Sequence, residues 1–377
     1  MSLSRIDPGT QRSLMRKINL NKLKEGMILA EPAMTKGGQL IFEKGKTLTQ
    51  AMIMRLYFYC IESVMIEGED GPEADATSEA APTAVASYSR QIKSSRAFQS
   101  FQVDHTLVLS TIRHNFEAYV NHGQPLDVSD LLSKVKTLFG SCKTSFDLFN
   151  MLHNMHTSKD SIYVHCLNVS LICRQLGKWL KFDSQKSDLI TLCGLLHDIG
   201  KLKIPRELLD KPGKYTNEEF DLVKRHTRYG FDLLKDLPLD PRIARAALSH
   251  HERCDGSGYP DGSAQDDTDI CALIVAIADV YDAMTAARAY RSPLCPFEVI
   301  ERFEKEGLQK YHPKYILAFL QHIAATYQNH RVLLSDGRSG NVVMINRQSL
   351  SKPIIQFDDT SCIDLSHESD LWIQKVL

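Results

Sequence analysis

Groups able to carry charge interrupt the most apolar helical stretches of this chain, and that limits its fold more than any other feature. The run Leu192-Cys193-Gly194-Leu195-Leu196 ends in His197-Asp198, and Asp279 sits inside Ala272–Val280, an otherwise continuous apolar stretch. His165 lies among Val164, Leu167 and Val169, His226 reads as mid-helix, and His250 and His251 end a helix that opens at Pro241. Buried imidazoles and carboxylates are costly without partners, so such helices must pack with these groups facing one another. For His165 or His226 alone, a satisfied core histidine is the simpler reading. The adjacent His-Asp pair is different, because it needs positive counter-charge. A metal ion supplies it, and imidazoles with carboxylates suit iron, manganese, zinc or nickel rather than calcium. Asp198 has two oxygens and could bridge two ions. About 3.5–4 Å apart, such ions stabilise both the attacking and the leaving oxygen of a phosphodiester displacement.

The remaining pattern divides the chain. Residues 1–67 contain short apolar runs between Gly-Met, Gly-Gly and Lys-Gly turns, with helical spacing over Gln50–Tyr59 and a returning strand at Ile61–Ile66. That predicts a small N-terminal α+β module. Residues 68–100 open with GEDGPEADATSEAAPTAVASYSRQ, too poor in large apolar side chains to bury a core, and read as a flexible linker. Helical periodicity dominates residues 101–331. Asp183 and Ser184 are cap candidates for an apolar helix over Asp188–Ile199, Thr216-Asn217-Glu218-Glu219 is a capping box for a helix through His226, and Ile270–Met284 carries two carboxylates. Residues 332–377 return to strand-like runs, VLLSDGRSGNVVMIN, KPIIQF and SCIDLS, a short C-terminal β appendage. The fold class expected is mainly α, a helical bundle with these two smaller additions.

Charge and cysteine usage narrow the function classes. With 45 basic and 46 acidic side chains the net charge is −1, which argues against a nucleic-acid polymer as partner and against a polybasic membrane anchor. The opening MSLSRIDPGTQRSL lacks the apolar core of a signal peptide and no apolar run reaches spanning length. The nine cysteines include no C-x-x-C pair, which favours reduced thiols and a cytoplasmic setting. Lys201 follows the His-Asp pair by one turn, and Arg288 and Arg291 follow Asp279; beside a metal pair these cations become candidate phosphate clamps.

In order along the chain stand His197-Asp198-Ile199-Gly200-Lys201, Ile204-Pro205, Lys211-Pro212-Gly213-Lys214, His250-His251-Glu252-Arg253-Cys254-Asp255-Gly256-Ser257-Gly258-Tyr259-Pro260, Ala278-Asp279-Val280-Tyr281-Asp282-Ala283-Met284-Thr285 and Arg288-Ala289-Tyr290-Arg291. This series resembles the HD-GYP family, over roughly Thr157 to Phe319. The resemblance implies a helical HD-superfamily bundle and two divalent transition-metal ions. His165, His197, Asp198 and Asp279 would hold one, and Asp198, bridging, with His226, His250 and His251 would hold the other. Lys201 would orient a phosphate, and Tyr259, Arg288 and Arg291 would contact the scissile phosphodiester or its neighbours. The position of a glutamate that binds a third metal in some members is Ser161 here, with Asp160 before it, so a two-metal centre is expected. Cys254 replaces a common aromatic, a change that would loosen the loop or make it oxidisable.

The implied activity is hydrolysis of cyclic di-GMP to linear pGpG and/or GMP by a dinuclear-metal hydroxide, with a mixed guanine–adenine cyclic dinucleotide left open as the substrate instead. Two other readings compete. One is a non-catalytic cyclic-dinucleotide receptor docking diguanylate cyclase domains through the GYP loop, and the other is a phosphatase of the wider HD superfamily. The complete ligand set favours the enzyme over the first, and the GYP segment with Arg288 and Arg291 over the second. The N-terminal module would serve as scaffold, regulator or homodimer contact.

Overall fold

The computed structural model describes residues 15–19, 23, 25–34, 40–49, 52, 56, 63–67, 95–155, 161–211, 213–263, 268–285 and 293–377. The chain divides into two compact units, Met1–Ala81 and Pro82–Leu377.

In the first unit β1 (Met15–Asn19) pairs antiparallel with β4 (Ser63–Glu67), Met15 opposite Glu67 and Asn19 opposite Ser63. β2 (Ala33–Met34) pairs with β3 (Leu40–Phe42). Alternation along β4 turns Val64 and Ile66 inward, where they pack with Ile18, Leu29, Ala33, Leu48 and Leu56. Of the stretch read as helical over Gln50–Tyr59, the described residues Met52 and Leu56 are helical.

The second unit is helical for most of its length. It opens with α1 (Arg96–His122), which Ser95 caps by accepting from Phe98 N and Gly123 closes in the left-handed conformation. Phe98, Phe101, His105, Val108, Ile112 and Phe116 recur every three or four residues and are all buried, so one stripe of α1 faces the core. α2 (Val128–Ser141) and α3 (Ser145–Asn154) follow, α3 opened by a reciprocal capping box of Thr144 and Asp147. The centre is built from α4 (Ser161–Trp179), α5 (Ser184–Leu196) and α10 (Ile270–Thr285), with α5 capped by Asp183. Their central turns are largely apolar and buried, as enclosed segments must be. Packed around them are α6 (Arg206–Leu209), α7 (Asn217–Lys224), α8 (His226–Leu234), α9 (Pro241–Ser249), α11 (Pro296–Lys310) and α12 (Pro313–Thr326). Among the described residues, no helix is long and apolar enough to cross a membrane.

The C-terminal residues form one antiparallel sheet in the order β8 (Cys362–Asp364), β7 (Ile354–Gln356), β6 (Ser339–Met344), β5 (Arg331–Leu334) and β9 (Ile373–Val376). Its inward side chains Val332, Leu334, Val342, Ile355 and Ile373 belong to the same apolar cluster as the central helices. A Glu304 carboxylate on α11 accepts from Leu350 N, Ser351 N and Ser351 Oγ, tying the β6–β7 connection to the bundle.

Candidate metal centre

Local breaks aim the polar side chains inward. α5 stops at Leu196, and His197 and Asp198 occupy the joint before a 3₁₀ turn over Ile199–Lys203. The helix expected to run through His226 is two helices. α7, with its Thr216/Glu219 capping box, ends at Lys224, and α8 starts at His226 after a turn at Arg225. The reason lies in Gly200: a Cβ there would fall 2.0 Å from His226 O and 2.4 Å from Gly230 N, so the 3₁₀ turn lies directly on the first turn of α8. A continuous helix would carry His226 away from that contact. α9 ends at Ser249, leaving His250 as its cap and His251 just beyond.

Each buried ring is held by its Nδ1. His197 Nδ1 lies 2.8 Å from Gly194 O, His226 Nδ1 2.7 Å from Val223 O, and His250 Nδ1 3.0 Å from Ala247 O. Carbonyls only accept, so Nδ1 carries the hydrogen and Nε2 presents its lone pair to the centre. Asp198 divides its oxygens between two groups. Oδ2 is 3.4 Å from His197 Nε2 and 3.6 Å from His165 Nε2, whereas Oδ1 is 3.3 Å from His226 Nε2 and 3.7 Å from His250 Nε2. Asp279 Oδ1 is 2.9 Å from His165 Nε2 and its Oδ2 3.7 Å from His251 Nδ1. Donor atoms of Asp198, His226, His250 and His251 all lie within 4.8 Å of one another, and so do those of His165, His197 and Asp279.

These residues fit a cation. His197 Nε2 and Asp198 Oδ1 are buried without a hydrogen-bond partner, in a place where an unmet polar atom is costly. Burial pushes the His226 imidazole down to about 3 and lowers His250 and His251 as well, so all three are neutral, the form that ligates. For the carboxylates burial works the other way. It is overcome at Asp198 by the Lys201 ammonium and at Asp279 by the His165 imidazole, so both sit well below the usual range. His165 is the exception among the rings: against burial, Asp279 and Asp282 raise it to about 9. In the absence of a metal its proton supplies the positive charge the carboxylates require, and a metal ion must displace it.

Asp282 and Asn168 were not singled out from sequence. Asp282 Oδ2 accepts from His165 Nδ1 at 2.7 Å, and Asp282 Oδ1 accepts from Asn168 Nδ2 at 2.9 Å. Their signal was spacing, since Asp282 follows Asp279 by three residues and Asn168 follows His165 by three, each on the same helix face. A carboxylate behind the ring fixes the tautomer that leaves Nε2 free.

At the rim, Lys201 donates to Asp198 Oδ2 with its side chain 23% exposed, so the ammonium stands between the buried carboxylate and solvent. The Tyr259 ring centroid is 4.6 Å from that of His251, and Phe220 meets Tyr259 edge-on at 6.1 Å. The loop carrying Tyr259 folds back closely on the histidine pair. A Cβ at Gly258 would lie 2.5 Å from His251 O and Glu252 Cα, so only glycine allows this approach. Glu252, buried, accepts from Asp261 N at 2.8 Å and Ser263 N at 3.0 Å and pins the far side of the loop. Glu252→Ala leaves both amides unmet and is expected to cost about 2 kcal/mol, read as a lower melting temperature with faster amide exchange at Asp261 and Ser263. Burial raises the Cys254 thiol, which keeps it protonated, and Cys254 N donates to Lys310 O at 2.9 Å. Arg288, Arg291 and Asp160 lie outside the described residues, as does the side chain of Ser161.

The family model described as HD domain matches residues 128–315. A cyclic di-GMP phosphodiesterase of Pseudomonas aeruginosa is 29% identical over 360 residues, covering 91% of this chain and 85% of the relative. A cyclic di-GMP phosphodiesterase of Thermotoga maritima is 44% identical over 128 residues, 33% of this chain and 35% of the relative. A 3'3'-cGAMP-specific phosphodiesterase of Vibrio cholerae is 32% identical over 183 residues, 48% of this chain and 35% of the relative. The chain thus spans most of the first relative and about a third of the other two.

Proposed function

Because this chain belongs to the HD-domain family and carries the HD-GYP series of motifs, we propose that it hydrolyses cyclic di-GMP, a phosphodiester, to linear pGpG and onward to GMP. The observation that carries this reading is the division of Asp198, whose two oxygens address two separate sets of imidazoles. His165, His197, Asp198 and Asp279 would hold one divalent ion, and Asp198, His226, His250 and His251 a second. Iron or manganese suits this nitrogen and oxygen set, and zinc or nickel shares the donor preference. When bound, the two ions supply a deprotonated water at neutral pH and charge neutralisation at phosphorus.

The protein's own groups do the rest. Asp198 and Asp279 hold negative charge in a buried place, which sets the affinity for cations. Lys201 offers the nearest ammonium to an incoming phosphate oxygen, and Tyr259 closes one side of the mouth against His251. Arg288 and Arg291 complete the phosphate contacts in this reading. A mixed guanine–adenine cyclic dinucleotide has the same phosphodiester chemistry and is the second substrate to offer. The described cysteines are free thiols, which suits the cytoplasm. Diguanylate cyclase domains and a second copy of the chain are further partners in this reading, and neither is required for hydrolysis.

The test is product analysis under anaerobic, reducing conditions. Protein reloaded with iron or manganese is expected to convert cyclic di-GMP to pGpG and GMP. Chelated protein is expected to show no turnover, and re-addition of metal restores it. Intact cyclic di-GMP bound by metal-loaded protein without turnover would overturn the enzyme reading in favour of a receptor.

A further inference from the structure

A buried histidine on α1 lies behind the metal centre, ahead of residue 128 where the HD-domain match begins. His105 is 2% exposed on the inward stripe of α1, between Phe101 and Val108. Its Nε2 has no hydrogen-bond partner, and neither does the buried Asn168 Oδ1. α1 packs against α4, which carries Asn168, and this brings the His105 ring and the Asn168 amide to the same buried place. The rest of Asn168 is committed, since Nδ2 donates to Asp282 Oδ1 at 2.9 Å and Asp282 Oδ2 accepts from His165 Nδ1 at 2.7 Å. Because Nδ2 is the atom that meets Asp282, the amide carbonyl is turned away from it. Burial pushes the His105 imidazole down to about 4, so the ring is neutral with one N–H to give.

We propose that His105 is a positioning residue for the metal centre: its N–H holds the Asn168 carbonyl, Asn168 holds Asp282, and Asp282 sets the tautomer and aim of His165. Two atoms that would otherwise be orphaned in the core satisfy each other in this arrangement, which a histidine kept only for packing would not need. The consequence is that α1 is mechanically part of the site, and a shift of α1 loosens one ligand without touching the other cluster. The inference rests on the two-ion reading above, and the experiment separates the two.

Ion retention is measured in the full chain by titrating manganese-loaded protein with a chelator and counting ions per chain, beside the melting temperature of the metal-free form. His105→Leu is expected to release one of two ions at about tenfold lower chelator strength, the size of effect that partners behind a metal ligand have, while the second ion stays. His105→Gln, whose amide can still donate, is expected to recover most of the retention. Val108→Ala, a cavity on the same helix, is expected to leave retention unchanged. In a cycle with Asn168→Leu, the double variant is expected to lose no more than Asn168→Leu alone. Native retention in His105→Leu, additive losses in the cycle, or equal loss in Val108→Ala would each overturn the proposal. Native protein that binds no ion defeats the two-ion reading instead. If His105→Leu does not fold, His105→Thr, too short to reach Asn168, replaces it in the cycle.

Discussion

Asp198→Ala is expected to abolish binding of both ions together and to lower phosphodiester turnover at least about a thousandfold. The size follows from charge stabilisation of several kcal/mol by a metal centre, at about 1.4 kcal/mol per decade of rate. The cooperativity of the loss follows from geometry. Oδ2 serves the side of His165 and His197 and Oδ1 the side of His226 and His250, so no other residue can replace both contacts. His226→Ala removes a group from one side only and is expected to leave one ion in place. Stability separates this from damage to the fold. Without metal, Asp198 is a buried carboxylate held ionised by Lys201 against the cost of burial, so its removal leaves that ammonium without its partner. The metal-free Asp198→Ala protein is therefore expected to melt below the metal-free native protein while still unfolding cooperatively. What disappears is the gain on adding metal, about 4 kcal/mol for an ion present at a thousand times its dissociation constant. Metal counting by mass spectrometry and melting with and without manganese check both halves. A variant that still binds two ions would end the bridging role.

How far the sequence reached depended on whether a residue's task was visible within its own helix. His197, Asp198 and Asp279 stood out because each breaks an apolar run of its own element, and the structure places all three in the buried centre with His165, His226, His250 and His251. Thr216 and Glu219 were readable for the same reason, since a capping box is closed within four residues. The sequence reads His226 as mid-helix because the break at Arg225 is imposed by Gly200, 25 residues earlier in sequence, and no periodicity within the segment records it. Asn168, Asp282 and His105 come from three helices, and their pairing exists only once α1, α4 and α10 have packed. A polar residue whose partner is distant in sequence looks like any tolerated core polar group. The fifth strand of the C-terminal sheet, β9, was not read, because Ile373–Val376 mixes polar residues into a short run and gains its identity from pairing with β5.

Gly200→Ala should be the most damaging single methyl group that can be added near the site. The new Cβ would stand 2.0 Å from His226 O, 2.4 Å from Gly230 N and 3.0 Å from Gly230 Cα. All three are backbone atoms, so no rotamer change relieves the clash, and the 3₁₀ turn must separate from α8. α9 adjoins the same face of α8, since a Cβ at Gly230 would stand 3.3 Å from Ala247 Cβ and 3.6 Å from Gly200 N, and α9 is the helix that leads into His250 and His251. Displacing α8 therefore moves His226 directly and strains the segment holding the other two ligands. Overpacking of this kind costs about 1–3 kcal/mol and more where backbone must move, so about 3 kcal/mol is expected here. The same displacement takes His226 Nε2 away from Asp198 Oδ1, now 3.3 Å apart, and the ion on that side should be lost even in protein that remains folded at low temperature. Gly140 on α2 supplies the matched control, because a Cβ there meets nothing within 4 Å. Gly140→Ala is expected to stabilise by about 0.5–1 kcal/mol through helix propensity and to leave metal content unchanged. Denaturant melts and metal counts on the two variants decide the matter. A Gly200→Ala protein with native stability and two bound ions would mean that α8 does not rest on the 3₁₀ turn as described, and the account of why His226 begins a helix would fall with it.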